Sequence, residues 1–176
     1  MSLSFIFLHE TNQTQFDAVI RMMADRDITS RLGTGDAWDD RKLIELREWS
    51  KRDSNIKWSQ REYFYWVAIN HGGVVCGLAG LHPVIPAAMP IAKKCRKLRY
   101  RRALQCLIVV APNFRGQRLG HKMINYLMMQ SHLTRSDIFV LTRADNTRAV
   151  ASLRSNDNLR ECGIFLLRDE QIIVFV

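Results

Sequence analysis

The sequence predicts an α/β (α+β) domain built on a mixed sheet, and three observations carry that prediction. From Leu104 to Gln130 the chain reads LQCLIVVAPNFRGQRLGHKMINYLMMQ, and its apolar period changes from strand-like to helical across the turn Phe114 to Gly120. Two pairs of apolar runs flank short turn-forming connections, the pattern of antiparallel hairpins. A further run, Ile138 to Thr142, follows the predicted helix, which can then serve as a right-handed crossover between two parallel strands.

Taken in order, Ser4 to Leu8 reads as an opening strand, and Thr14 to Met23 as a helix with Phe16, Val19, Ile20 and Met23 on one face. Asp25 to Gly35 is a polar break. A second helix is expected from Asp36 to about Lys51, with Trp38, Leu43, Leu46 and Trp49 inward, acids early and bases late. Tyr63 to Ile69 and Val74 to Leu81 form a hairpin around Asn70-His71-Gly72-Gly73, and Gly77 and Gly80 in its second strand call for bulges or a close neighbour. The stretch HPVIPAAMPIAKKCRKLRYRR then reads as a long mobile loop. Leu104 to Val110 is a strand covered on both faces, and a helix runs on from Gly120. Asn146 to Ser155 is a short helix that turns Ala149, Val150 and Leu153 inward, with Asn158 expected in the left-handed conformation beyond it. Glu161 to Leu167 and Gln171 to Val176 close the chain as a hairpin.

With 176 residues, 47% hydrophobic and 24% charged, the chain suffices for a single domain, 1–176, with its own core. No apolar run approaches the length of a membrane span and no cleavable leader is recognisable, so a soluble, cytoplasmic protein is expected. Cys76, Cys95, Cys106 and Cys162 lack metal-ligand spacing and read as buried free thiols. His71, His82, His121 and His132 likewise share no ligand spacing, so no metal is expected. The net charge of +9 is concentrated in Lys93, Lys94, Arg96, Lys97, Arg99, Arg101 and Arg102, and no Asp or Glu occurs between Tyr63 and Ser136. That half of the chain favours an anionic ligand.

The turn at the period switch has its own chemistry. The first N–H groups of a helix lack intrahelical partners and carry the positive end of the dipole, which suits phosphate. Gly116 and Gly120 clear the approach, while Arg115, Arg118 and Lys122 add charge. Two glycines and two arginines also describe a plain solvated turn.

The strand, then Ala111-Pro112-Asn113-Phe114, then Arg115-Gly116-Gln117-Arg118-Leu119-Gly120, resembles the acetyl-coenzyme A loop of the GCN5-related N-acetyltransferases (GNAT), whose usual pattern is R/Q-x-x-G-x-G/A. The element order resembles that fold over essentially the whole chain. Arg118 departs from the pattern where glycine is usual. The resemblance continues at Asn146-Thr147-Arg148-Ala149, which matches the family's N-x-x-A. Leu153 stands where a tyrosine general acid is common, and Asn158-Leu159 stands for the family's Gly-Phe, one residue late.

The resemblance implies a GNAT-like fold: a central mixed, mostly antiparallel sheet of six to seven strands with a splayed parallel pair, flanked by about four helices. It implies an acetyl-CoA-dependent N-acetyltransferase in which an amine of a small molecule or protein attacks the thioester directly. Pantetheine would pair with Ile108 and Val110, Arg115, Gly116, Gln117, Arg118, Leu119 and Gly120 would hold the pyrophosphate, and Asn146 would lie along the pantetheine arm or cap its helix. For the base, His82 is the candidate, near its working pKa at the end of the third strand, with Glu62 weaker. Leu153 cannot donate a proton, leaving water or Ser152, and Cys106 in an apolar strand is inert. A non-catalytic CoA-binding module is the alternative. The basic run 93–102 is either a solvated charge run or a contact for a phosphate-bearing partner, the 3′-phosphate of coenzyme A or RNA.

Overall fold

The computed structural model describes residues 2–29, 39–95 and 102–176. One seven-stranded sheet runs through it in the order β1 (Leu3–Phe7), β2 (Phe64–Asn70), β3 (Val75–Pro83), β4 (Arg102–Val110), β5 (Ser136–Arg143), β7 (Glu170–Phe175), β6 (Glu161–Leu167). All neighbours are antiparallel except β4 and β5. The helices are α1 (Gln13–Met23), α2 (Arg26–Thr29), α3 (Asp40–Asp53), α4 (Met89–Cys95), α5 (Leu119–Thr134) and α6 (Thr147–Arg154).

Apolar side chains cover both sheet faces, as the uninterrupted β4 run requires. On one face Met123, Ile124 and Leu127 of α5 and Val150 and Leu153 of α6 pack on Phe64, Trp66, Leu104 and Cys106. On the other, Phe16, Val19 and Met23 of α1 and Leu43 and Leu46 of α3 pack on Tyr65, Val67, Leu107 and Val109. Farther along that second face, α4 forms a separate cluster with Phe139, Leu167, Ile172 and Val174.

Local chemistry sets the element ends. Asn12 caps α1 through a reciprocal pair with Gln15, and Asp39 caps α3 by accepting from the Lys42 N–H at 2.8 Å. Asp53, at the other end of α3, is buried. Its carboxylate accepts from the N–H groups of Glu62 and Tyr63, and so fixes where β2 begins. In β3 the glycines answer to close neighbours. A Cβ on Gly80 would lie 2.5 Å from Cδ1 of Tyr65, whose ring lies across it, and one on Gly77 would lie 2.3 Å from the Val109 carbonyl oxygen.

Four expectations are corrected. Of the predicted mobile loop, residues 82–95 are structured and 96–101 lie outside the described residues: β3 continues through Pro83, and α4 follows because Ile91, Ala92 and Cys95 give it an apolar side to bury. The three prolines and the charges masked that side in the sequence. The third helix starts at Asp40, while Asp36 lies outside the described residues. The polar break holds the short α2, which with α4 gives the described residues two more helices than predicted. Asn158 is not left-handed; its backbone N–H donates to the Asn156 side chain, and Asn156 in turn donates to Asn125 of α5.

Candidate active site

The parallel pair defines a gap. Pairing of β4 with β5 runs from Arg102↔Ser136 to Cys106↔Val140 and stops, although β4 continues to Val110 and β5 to Arg143. On the outer side of β4 the register with β3 continues to Gly77↔Val110, and the Ala111 N–H donates to the Cys76 carbonyl at 2.9 Å. Bonded and non-bonded pairs alternate along an antiparallel ladder. Val109 and Leu107 therefore bond to β3, and the N–H and C=O groups of Ile108 and Val110 face the gap. On the opposite wall the Ala144 N–H bonds to Gln171 at 2.8 Å, and the same alternation turns the backbone groups of Leu141 and Arg143 inward. Ile108 and Val110 were legible in the sequence as members of the strand; Leu141 and Arg143 were not, because only the register reveals them.

At the open end the chain turns through a short 3-10 segment, Pro112–Phe114, into α5. The Phe114 and Arg115 N–H groups bond back to Ala111 and Pro112, and the next backbone N–H with an acceptor is that of Lys122, on Arg118. Among the described residues, the N–H groups from Gly116 to His121 thus have no protein acceptor, and the positive end of the α5 dipole adds to them. Gly116 has φ 79°, with nothing within 4 Å of a would-be Cβ. Arg118 is left-handed too, at φ 57° and ψ 23°, a conformation that glycine adopts at least cost, so an arginine holds a glycine-like backbone shape there. The Arg118 side chain is exposed, whereas Arg115 is tied to Asp27 of α2 at 2.9 Å. Leu119 is buried and anchors the helix, and Gln117 is exposed.

Beyond the closed end, on the face that carries α1, α3 and α4, three buried polar side chains meet. His82 sits opposite Gln105 in the β3–β4 register, and its ring is parallel to that of Tyr65, 6.4 Å away. All three are at most 9% exposed. The His82 Nδ1 donates to the Pro83 carbonyl at 3.0 Å, an oxygen that can only accept, so Nε2 carries the lone pair. Gln105 accepts from the Ile85 N–H through Oε1, and its amide donors, the Tyr65 hydroxyl and His82 Nε2 meet no protein partner among the described residues. Groups so deeply buried are ordinarily satisfied. Tyr65 and Gln105 escaped notice in the sequence because each reads as an ordinary strand residue.

His82 is therefore not the expected loop histidine near its ordinary pKa. It belongs to β3, and burial pushes its pKa down to about 4, with Lys42 of α3 acting in the same direction and the Pro83 carbonyl against. Burial likewise drives the Tyr65 hydroxyl well above the usual tyrosine range. All three groups are neutral at physiological pH. Glu62 is exposed, past the closed end of the gap.

The Asn146 side-chain oxygen caps α6 at the Ala149 N–H, 3.4 Å away, where β5 runs into that helix. Leu153 is buried in the core against α5, Ser152 is half-buried with its carbonyl accepting from Ser155, and Cys106 is buried with its thiol pushed up by desolvation. Of the basic run, Lys93 and Lys94 lie exposed on α4, and Arg96, Lys97, Arg99 and Arg101 lie outside the described residues. Arg102 is no part of a free basic patch: its guanidinium turns onto the carbonyl oxygens of Ser59 and Arg61. Among the described residues no cluster of ligating side chains could hold a metal ion, and no helix is long and apolar enough to cross a membrane.

No curated protein matches the chain by sequence. Among solved structures, it is similar to a spermidine N-acetyltransferase from Vibrio cholerae in complex with CoA and spermine, with a TM-score of 0.68, 15% identity, and 99% of this chain and 94% of that one covered. It is also similar to a ribosomal-protein-alanine N-acetyltransferase from Brucella melitensis, with a TM-score of 0.68, 17% identity, and 99% and 98% covered. These likenesses establish the fold. The acetyltransferase (GNAT) family profile matches residues 21–155, which takes in both walls of the gap and the turn at its mouth, and the chain belongs to that family.

Proposed function

We propose that the protein is an acetyl-CoA-dependent N-acetyltransferase that moves an acetyl group to a primary amine of a small molecule or protein by direct attack. The observation that carries this reading is the continuity of the gap with the turn: backbone groups of Ile108 and Val110 lead into a run of partnerless N–H groups from Gly116 to Gly120. A pantetheine arm has amides that pair like a strand, and it ends in a diphosphate that requires clustered donors. The fit is thus of both parts in sequence. Arg118 supplies charge at the mouth, and the Asn146 amide nitrogen, which the cap leaves uncommitted, has no acceptor among the described residues.

Acetyl-CoA supplies an activated carbonyl. The chain's own residues then hold the acceptor. With a diphosphate held at the mouth, the thioester would lie toward the closed end of the gap, and an amine would approach it across the floor of Tyr65, His82 and Gln105. His82 accepts an amine N–H at Nε2, and the Gln105 and Tyr65 donors orient the groups around it. Leu153 has no proton to give, so the departing thiolate would take one from water or Ser152.

A thermal shift with acetyl-CoA, CoA and ATP tests the cofactor, and release of free thiol across an amine panel tests turnover. Stabilisation by both CoA species and thiol release with at least one amine are expected. If neither CoA species stabilises the fold, the reading fails. If both bind and no amine is turned over, the chain is a CoA-binding module, a second reading favoured by the buried Leu153 and the depressed His82.

A further inference from the structure

Two of the free cysteines meet across the fold. Cys95 is the last residue of α4, 6% exposed, and Cys162 is a partly exposed residue of the edge strand β6. The register of β6 on β7 passes from Glu161↔Phe175 to Gly163↔Val174, so Cys162 is the extra residue of a bulge. A bulge re-aims its side chain, and this one turns the sulfur toward the C-terminal end of α4. The Cys162 thiol donates to the Cys95 carbonyl oxygen at 3.6 Å, which brings its sulfur beside the Cys95 side chain. The Arg160 guanidinium stands 3.6 Å from the Cys162 sulfur. Nothing in the transferase reading uses these residues.

We propose that Cys95 and Cys162 are a dithiol site that a hydroperoxide converts to a reversible intramolecular disulfide, Cys162 being oxidised first and Cys95 resolving it. The Cys162 thiolate attacks the peroxide O–O bond, taking one oxygen as sulfenic acid and releasing the other as water or an alcohol. The Cys95 sulfur then attacks the sulfenyl sulfur and expels its oxygen as water. Two electrons pass from the thiol pair to one peroxide, and the sulfur–sulfur bond replaces the two S–H bonds. The division of roles follows from access: Cys162 is partly exposed beside a cation, and burial and its neighbour raise the Cys95 thiol to about 12, so that it reacts only with a sulfur already presented to it. Cys76, bonded to the Val74 carbonyl, and Cys106, inside the core, have no such partner and serve as internal controls.

The test treats the reduced full-length protein with one equivalent of hydrogen peroxide, then counts free thiols and maps disulfide-linked peptides by mass spectrometry without reduction. Free thiols are expected to fall from four to two, with a single Cys95–Cys162 linked peptide that dithiothreitol reverses. In Cys95→Ser, a dimedone adduct should collect on Cys162; in Cys162→Ser, neither adduct nor disulfide should form, and Cys76→Ser should behave as wild type. Four thiols remaining free, a link involving Cys76 or Cys106, or a Cys162 bond between two molecules would each overturn the proposal. Circular dichroism before and after treatment confirms that the folded protein is what reacts.

Discussion

The direction of the β4 backbone is tested by moving a proline one residue along the strand. Val109 is 3% exposed and its N–H belongs to the β3 ladder, so Val109→Pro removes a buried bond, strands the Leu78 carbonyl and deletes packed methyl groups. About 3 kcal/mol or more of stability should be lost, a large share of the roughly 5–15 kcal/mol typical of a domain. Ile108 differs only in facing the gap. Ile108→Pro removes no ladder bond and gives up part of a half-buried side chain, about 1 kcal/mol. Its effect should fall on the cofactor. A pantetheine carbonyl left without its donor loses about 1.4–2.7 kcal/mol, which is roughly a 10- to 100-fold weaker CoA affinity. Urea unfolding and titration calorimetry read the two effects separately. If Ile108→Pro unfolds as readily as Val109→Pro, the assigned alternation is wrong; if it folds and binds CoA as wild type does, pantetheine does not pair along β4.

Other perturbations separate shape from charge in the same way. Gly116→Ala places a Cβ at φ 79°, costing about 1–2 kcal/mol and weakening CoA binding, whereas Gly120→Ala, with only Val110 Cγ2 at 3.9 Å, should gain up to about 1 kcal/mol. Denaturant midpoints of the pair check both signs, and equal shifts would refute them. His82 titrates in the folded protein at about 4 against 6.5 in the unfolded chain. The folded state thus binds fewer protons between those values, and stability held above pH 6.5 falls as the pH drops toward 4, by at most about 3 kcal/mol. His82→Gln should flatten that slope in urea midpoints taken from pH 7 to pH 4, and an unchanged slope would assign the loss to other groups. Leu153→Tyr, at a site 7% exposed in the core, should destabilise by about 1–3 kcal/mol without raising kcat. A rise in kcat would show that the hydroxyl reaches the thioester.

How far each part was legible follows from the range of the interactions behind it. The strand–turn–helix at Leu104 to Gln130 was readable because its periodicity and glycines are local, and the outward N–H groups of the turn are a property of that local backbone. The helix α4 was missed because what makes it a helix is the cluster it completes with Phe139, Ile172 and Val174, far away in sequence. His82 was assigned an ordinary pKa because nothing nearby in sequence says that β3 carries it under α1 and α3. The contact of Cys162 with Cys95 required a bulge, which shows only in the register. Arg102 read as one more charge in a basic run, yet its guanidinium is spent on carbonyl oxygens at the end of a neighbouring loop. In each case the residue type was visible and its partner was not.

The neutrality of Tyr65, His82 and Gln105 constrains how an amine can be handled. A cation brought onto a buried floor needs a paired carboxylate, and none of the three groups that form this floor is one. An acceptor that enters as ammonium must then shed its proton before it reaches Nε2, because a histidine with a pKa of about 4 is too weak a base to take it. In the proposed transfer the reactive species is the free amine, and its population is set by the acceptor. We therefore predict that kcat/KM rises about tenfold per pH unit below the pKa of the amine and levels off there. Two acceptors of different basicity make the test, since their profiles should break at two different pH values, each near that amine's own pKa. A common break for both would mean that a group of the enzyme removes the proton, and the neutral floor would lose its role as the surface on which an already deprotonated amine is positioned.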